Sequence, residues 1–161
     1  MLLVALGSLG CAPGAYPIDI FPEMHYQVSQ RLLEPDRLAP PSGAVPVTGR
    51  RVPVTFEQAG ALSNPVQRAR GLEQGRQVFN VNCAMCHGKD GRGDSEVARR
   101  FAAAGFMPPV DFTSARVQQR TDGQLYWIVT HGLGNMPPFN ELLTEDQTWS
   151  VVHVIREVQG R

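Results

Sequence analysis

Two cysteines and a histidine in one short motif are the residues with the clearest chemistry. Cys83, Cys86 and His87 form the pattern C-x-x-C-H, which is the attachment motif of c-type haem. One helical turn separates the two thiols, so each can add across a vinyl group on the same haem edge. The next residue is then placed for its imidazole to reach the iron. We therefore predict one covalent haem c, with both cysteines as thioethers and His87 as an iron ligand.

A C-x-x-C pair also occurs in zinc sites and in dithiol redox sites. A zinc site needs a second pair of ligands, and the chain has only three cysteines. A thioredoxin-like site needs a βαβ context, and the sequence shows no alternating strand pattern. Haem is therefore favoured over both alternatives.

The second axial ligand determines what a haem protein does. An open position allows small ligands to bind or be activated, whereas a His/Met pair gives an electron carrier with a raised reduction potential. Met136 lies in the glycine- and proline-rich segment 132–139, directly after a predicted helix. Glycine allows the backbone to approach the macrocycle, and proline stiffens the loop. We predict Met136 as the sixth ligand.

Three other side chains are candidates for the same position. Met107 also precedes two prolines, but it lies only 20 residues after His87, so we expect it on the proximal side, lining the pocket. His131 ends a predicted helix, where an imidazole can bind carbonyls or meet the negative end of the helix dipole. His153 lies in the apolar stripe of the last predicted helix, where a hydrogen-bonded packing role is expected.

The two prolines after Met107 are predicted to support the proximal ligand. A carbonyl of Pro108 or Pro109 is placed to accept the Nδ1–H of His87. Such a bond to the second ring nitrogen fixes the tautomer that binds iron. Both prolines are therefore counted among the cofactor-binding residues.

Four residues are candidate partners of the anionic haem propionates. Arg116 and Arg120 precede the predicted helix before Met136, and a guanidinium group suits a carboxylate. Tyr126 and Trp127 carry an O–H and an indole N–H that are able to donate. The alternative is that the arginines are solvated and the aromatic rings belong to the core.

Three helices are predicted to position these groups. Apolar and small residues share one face of residues 71–83, which indicates a helix that ends in the cysteine motif. Capping-box patterns at residues 121–124 and 144–147 open two more helices, which run to about His131 and about Val158. The predicted fold class is all-α, with a helical domain around one haem.

Length and charge limit the fold and the class of partner. The 161 residues are 42% hydrophobic, enough for one modest core but not for a second catalytic domain. Lys+Arg and Asp+Glu are both 15, so the formal net charge is +0 and nothing attracts a phosphate backbone. We expect no nucleic-acid partner.

The first 70 residues differ from the rest. Nine of the 13 prolines lie between residues 12 and 70, where apolar residues also recur. A proline-stiffened segment can wrap over another protein at a small entropic cost; packing on its own domain is the alternative. We divide the chain into a signal-like apolar segment (1–10), an extended arm (11–70) and a haem-binding domain (71–161).

Cys11 follows the apolar segment at residues 2–9, which is much shorter than the roughly 20 residues that span a bilayer. This order resembles a bacterial lipoprotein signal, in which the cysteine is acylated. We predict Cys11 as a lipid anchor that holds the protein on the periplasmic, extracytoplasmic face of the membrane. An uncleaved N-terminus with a free thiol is the alternative.

An ordered series of motifs resembles the class I monohaem cytochromes c over residues 71–161. The motif residues are Gly75, Phe79, Cys83, Cys86, His87, Gly88, Gly91, Gly93, Pro108, Pro109, Asp111, Phe112, Thr121, Gly123, Gln124, Leu125, Tyr126, Gly132, Met136 and Pro137. The resemblance implies a fold in which the first and last helices cross. The crossing would bring Gly75 against Trp149 and Val152.

The arm has a narrower resemblance. Residues 19–27 (DIFPEMHYQ) and 50–54 (RRVPV) are similar to the E-type monohaem cytochrome of bacterial alternative complex III, a membrane complex that oxidises quinol. This implies an electron-transfer subunit without turnover of its own. Its partners would be the other subunits and an acceptor such as a small copper protein, a soluble cytochrome or an oxidase.

Two rival functions remain open on the sequence. The first is a lipid-tethered cytochrome shuttle that acts independently of a stable complex, with the arm as a spacer. The second is an enzyme or sensor in which the sixth position of the haem iron is open.

Overall fold

The structure, a computed structural model, describes residues 41–45 and 54–161. Within these ranges every regular element is a helix, and the only strand-like feature is an isolated bridge between Leu133 and Met136. The predicted all-α class is confirmed. None of the helices in the described part of the chain is long and apolar enough to cross a bilayer. Cys11 and most of the predicted arm lie outside the described residues.

Seven helices follow one another in residues 54–161, all within the unit Gly43–Arg161. The other unit, Met1–Ser42, is described only at residues 41 and 42. The helices are α1 Phe56–Ala59, α2 Arg68–Asn82, α3 Ala84–His87, α4 Glu96–Ala103, α5 Ala115–Gln118, α6 Asp122–His131 and α7 Glu145–Val158.

The three helices predicted from the sequence are α2, α6 and α7. Both predicted capping boxes are present: the Thr121 side chain accepts from the N–H of Gln124 and the Gln124 side chain accepts from the N–H of Thr121, with the same exchange between Thr144 and Gln147. Each box satisfies two amide groups that have no partner within the helix. The starts of α6 and α7 are therefore determined by local sequence.

Helix α1 lies in the segment that the sequence analysis placed in the arm. The Thr55 and Gln58 side chains form a third capping box there. Further along, the Asn64 side-chain amide donates to the Trp149 carbonyl over 2.9 Å, and the Val66 carbonyl lies 2.8 Å from a ring nitrogen of His153. This part of the chain therefore packs on the helical domain.

Helices α2 and α7 cross at the centre of the domain. A Cβ built on Gly75 would lie 2.2 Å from the Ser150 carbonyl oxygen and 2.9 Å from a methyl group of Val154. The predicted neighbours, Trp149 and Val152, are therefore wrong. Residues 148–156 of α7 are buried on all sides, so apolarity alone does not reveal which stripe faces the glycine. Trp149 instead stacks on Tyr126 at 4.2 Å.

Candidate functional site

The two cysteines of the motif lie on one tight turn between two helices. Cys83 ends α2 and begins α3, and its carbonyl accepts the amides of Cys86 at 3.1 Å and His87 at 2.9 Å. Its own amide donates to the Phe79 carbonyl over 2.8 Å. The backbone therefore stays helical through the motif, which is the geometry that thioether attachment to one haem edge requires.

The environment of Cys83 argues against dithiol exchange. Both Cys83 and Cys86 are free thiols. Burial, with a smaller contribution from Cys86, raises the pKa of the Cys83 thiol to about 12, whereas reactive C-x-x-C sites have a lowered pKa. Among the described residues no group of three or more His, Cys, Asp and Glu side chains is arranged to hold a metal ion.

His87 is buried and oriented by the protein backbone. Its Nδ1 atom lies 3.4 Å from the Val110 carbonyl oxygen, and its ring lies 4.7 Å from the Phe112 ring. The prediction of a Pro108 or Pro109 carbonyl is therefore wrong by one residue. Desolvation lowers the His87 pKa, and the bond to Val110 only partly opposes this. A neutral imidazole, the form that binds iron, is thus favoured.

The segment that carries Val110 is tied down on both sides of Phe112. The Phe112 amide donates to the Gly91 carbonyl over 2.9 Å. The Gln159 side-chain amide donates to the Phe112 carbonyl over 2.8 Å. At Gly93 a Cβ would lie 2.3 Å from the Pro109 carbonyl oxygen, so only glycine allows this approach. The sequence analysis did not identify Val110 or Gln159 as supporting residues.

The predicted sixth ligand lies on a tight loop after α6. Leu133 and Met136 exchange two backbone hydrogen bonds of 3.1 Å. Gly132 has φ +77°, and a Cβ there would lie 2.4 Å from the Met136 carbonyl oxygen. The Phe139 amide returns to the Val129 carbonyl of α6 over 3.1 Å. Met136 itself is half-buried against the core. The backbone of this loop is therefore well defined.

Met107 is placed differently. Its side chain is 72% exposed, and its carbonyl accepts from the side-chain amide of Asn135 over 3.3 Å. The segment after His87 thus reaches the loop of Met136, although Met107 does not pack against the core.

These residues fit a covalently attached haem. The two thiols are unpaired, and within the described residues the Nε2 atom of His87 makes no hydrogen bond, because only Nδ1 is engaged. Large apolar side chains are exposed on the two loops that meet through Asn135. They are Met107, Val110 and Leu133, with exposed fractions of 72%, 38% and 52%. An apolar macrocycle accounts for apolar groups that the protein leaves uncovered.

The two other histidines have the structural roles that were predicted. His131 is exposed, and its Nδ1 lies 3.1 Å from the Trp127 carbonyl. His153 is buried with a ring nitrogen 2.8 Å from the Val66 carbonyl. Both contacts occupy a ring nitrogen with a backbone group of the same domain.

The four candidate propionate partners are separated by their contacts. The indole N–H of Trp127 donates to the Val54 carbonyl over 2.9 Å; an indole has a single donor, so the prediction that it donates to a propionate is wrong. The Arg120 guanidinium lies over the Phe56 ring at 5.0 Å. The Arg116 side chain is exposed and the Tyr126 ring stacks on Trp149. For Arg116, Arg120 and Tyr126 a propionate contact stays a prediction.

Comparison with known proteins identifies the domain. The family described as cytochrome c oxidase, cbb3-type, subunit III matches residues 70–154, more than half of the chain. No curated protein matches the sequence. A chain of the reducing HAO-like protein complex of Kuenenia stuttgartiensis is similar in structure, with a TM-score of 0.50 and 26% sequence identity.

That structural match covers 60% of this chain and 49% of the other, so the protein spans about half the length of that relative. The family match includes the cysteine turn, the segment that supports His87 and the loop of Met136 in one continuous stretch. The chain therefore belongs to the cbb3-type cytochrome c oxidase subunit III family of cytochrome c domains, and it is a haem c electron carrier rather than an enzyme.

Proposed function

We propose that the protein is the electron-transfer subunit of a membrane quinol-oxidising complex similar to alternative complex III. One haem c would be attached at Cys83 and Cys86, with His87 and Met136 as axial ligands. The observation that carries the proposal is the buried His87, whose Nδ1 is held by Val110 while Nε2 makes no hydrogen bond within the described residues. The single C-x-x-C-H motif supports one haem.

The bound haem supplies a one-electron couple, and the protein would keep its geometry constant between the two states. Val110 orients the imidazole through Nδ1. The paired backbone of Leu133 and Met136 holds the thioether loop, and a thioether ligand favours the ferrous state. Since neither loop needs to rearrange, reorganisation on electron transfer stays small.

Membership of a complex is supported by the arm and by the structural relative. The motifs at residues 19–27 and 50–54 are similar to those of the monohaem cytochrome of alternative complex III, and the chain from Kuenenia stuttgartiensis belongs to a multi-protein complex. A lipid anchor at Cys11 would place the protein on the extracytoplasmic face, where a small copper protein, a soluble cytochrome or an oxidase would accept the electron.

Replacing each methionine tests the ligand assignment. In oxidised wild-type protein we expect the far-red sulfur–iron charge-transfer band. Met136→Leu should abolish the band, and Met107→Leu, at an exposed position, should retain it. Loss of the band in Met107→Leu alone would transfer the ligand role to Met107. A wild-type protein without the band would favour an open sixth site.

Mild detergent extraction tests the complex. We expect the protein to copurify with large membrane subunits, and a monomeric product would favour the lipid-tethered shuttle. A mass spectrum of the N-terminal peptide would show acylation of Cys11. The haem mass on the peptide that contains Cys83 and Cys86 would establish attachment in the same experiment.

A further inference from the structure

Trp127 of α6 is held by the segment that precedes the haem-binding domain. Its indole N–H donates to the Val54 carbonyl over 2.9 Å, across 73 residues of sequence. The Phe56 ring meets the indole in a T-shaped contact with centroids 5.4 Å apart. A buried hydrogen bond and an aromatic pair therefore fix both the position and the tilt of the indole.

The segment itself is firmly seated. The Arg120 guanidinium covers the Phe56 ring at 5.0 Å, which adds a cation–π contact. At the end of α1, Ala59 is fully buried, and a Cβ on Gly123 would lie 1.8 Å from its carbonyl oxygen. Only glycine at position 123 allows α1 to lie this close to the start of α6.

The other side of Trp127 contacts the last turn of α6. The indole stacks on the His131 ring with centroids 4.3 Å apart and an interplanar angle of 12°. The His131 Nδ1 lies 3.1 Å from the Trp127 carbonyl. Trp127 and His131 then line one groove together with residues 132–138. Trp127 thus lies between the N-terminal segment and the loop that carries Met136.

We propose that Trp127 is a positioning residue for the axial methionine, and that Val54 and Phe56 hold it in place. The proposal rests on the function proposed above, because it takes Met136 as the ligand. Helix ends fray unless other groups hold them. The stack of Trp127 on His131 keeps the last turn of α6 formed, and the Met136 loop begins at the next residue, Gly132. Displacing the N-terminal segment would loosen this turn and favour dissociation of the sulfur from the iron.

Binding of imidazole to the ferric haem protein measures this dissociation, because imidazole enters only when the sulfur leaves. Trp127→Phe keeps a ring for stacking but removes the indole N–H, and Phe56→Ala removes the aromatic contact. For each we expect imidazole to bind about two- to tenfold more tightly than to the wild type, the range set by the loss of one hydrogen bond or aromatic pair. Amide hydrogen exchange in residues 132–136 should rise in both variants.

Two controls separate this role from a general loss of stability. Glu57→Ala changes an exposed side chain of α1 and should leave imidazole affinity unchanged. Gly75→Ala should lower global stability through the α2–α7 contact without altering imidazole binding under native conditions. Unchanged affinity and unchanged exchange in Trp127→Phe would overturn the proposal, even if Phe56→Ala failed to fold. Wild-type protein that lacks the sulfur–iron band would instead overturn the ligand assignment.

Discussion

Gly75 lies so close to Ser150 that a Cβ at position 75 would stand 2.2 Å from the Ser150 carbonyl oxygen. The obstacle is backbone within a helix, so it cannot move as a flexible side chain would. The domain therefore depends on the absence of a side chain at this crossing. A single methyl group would force the two helices apart along their main contact.

We expect Gly75→Ala to lower the free energy of unfolding by about 1–3 kcal/mol or more, the usual cost of overpacking a core. Guanidinium unfolding of the haem-loaded protein, followed by circular dichroism, measures the change. Arg76→Ala is a matched control, because it breaks an ion pair with Glu157 that is exposed at both ends. Such surface pairs contribute only about 0–1 kcal/mol. An equal loss in both variants would contradict this account of the crossing.

Arg156 is a buried cation with three separate partners. Its Nε donates to Asp122 over 2.6 Å, one Nη to Gln159 over 2.7 Å and the other Nη to the Arg120 carbonyl over 2.6 Å. The Arg156 side chain is only 9% exposed. Arg156→Met should lower the free energy of unfolding by about 2–4 kcal/mol, because several charge-assisted bonds are lost and their partners stay partly buried.

Asp122→Asn provides a test of this network in the same unfolding experiment. It leaves the bonds of Arg156 to Gln159 and to the Arg120 carbonyl intact, and Asp122 is 36% exposed. The loss should therefore be smaller than for Arg156→Met. A larger loss in Asp122→Asn would mean that the carboxylate, and not the guanidinium, is the main stabilising group.

Local sequence was sufficient to predict α2, α6 and α7 because they are long enough to show a period and, for α6 and α7, begin with capping boxes. Helices α1, α3 and α5 have four residues each, too few for a period to emerge. The longer α4 was missed, although Ser95 is a typical capping residue and caps it in the structure.

The site divides in the same way. The positions of Cys83, Cys86 and His87 follow from one local motif. The acceptor of the His87 Nδ1 is a backbone carbonyl, and any residue type has one, so no sequence pattern distinguishes Val110 from its neighbours. The bond from Trp127 to Val54 joins residues 73 positions apart. Only the packing of α1 on α6 brings that pair together.

Ser95 connects the cysteine turn to α4. Its hydroxyl donates to the Cys86 carbonyl over 2.7 Å and accepts the Ala98 amide at 3.0 Å. Ser95→Ala should cost about 1 kcal/mol for the lost cap, with a further contribution from the unpaired Cys86 carbonyl. Ser95→Thr retains the hydroxyl and should recover most of the loss. If the threonine variant unfolds as readily as the alanine variant, the hydroxyl bonds are not the cause.

Gly132 and Gly134 allow a direct test of how closely the Met136 loop is packed. Both glycines have positive φ, +77° and +61°, so alanine is strained at either position. At Gly132 a Cβ would also lie 2.4 Å from the Met136 carbonyl oxygen, whereas at Gly134 nothing lies within 4 Å. Gly132→Ala should therefore displace Met136 and weaken or abolish the sulfur–iron band of the oxidised protein. Gly134→Ala should lose some stability but keep the band, since its added methyl group points into open space. Equal effects on the band would show that backbone strain alone, and not the close contact with Met136, controls the ligand.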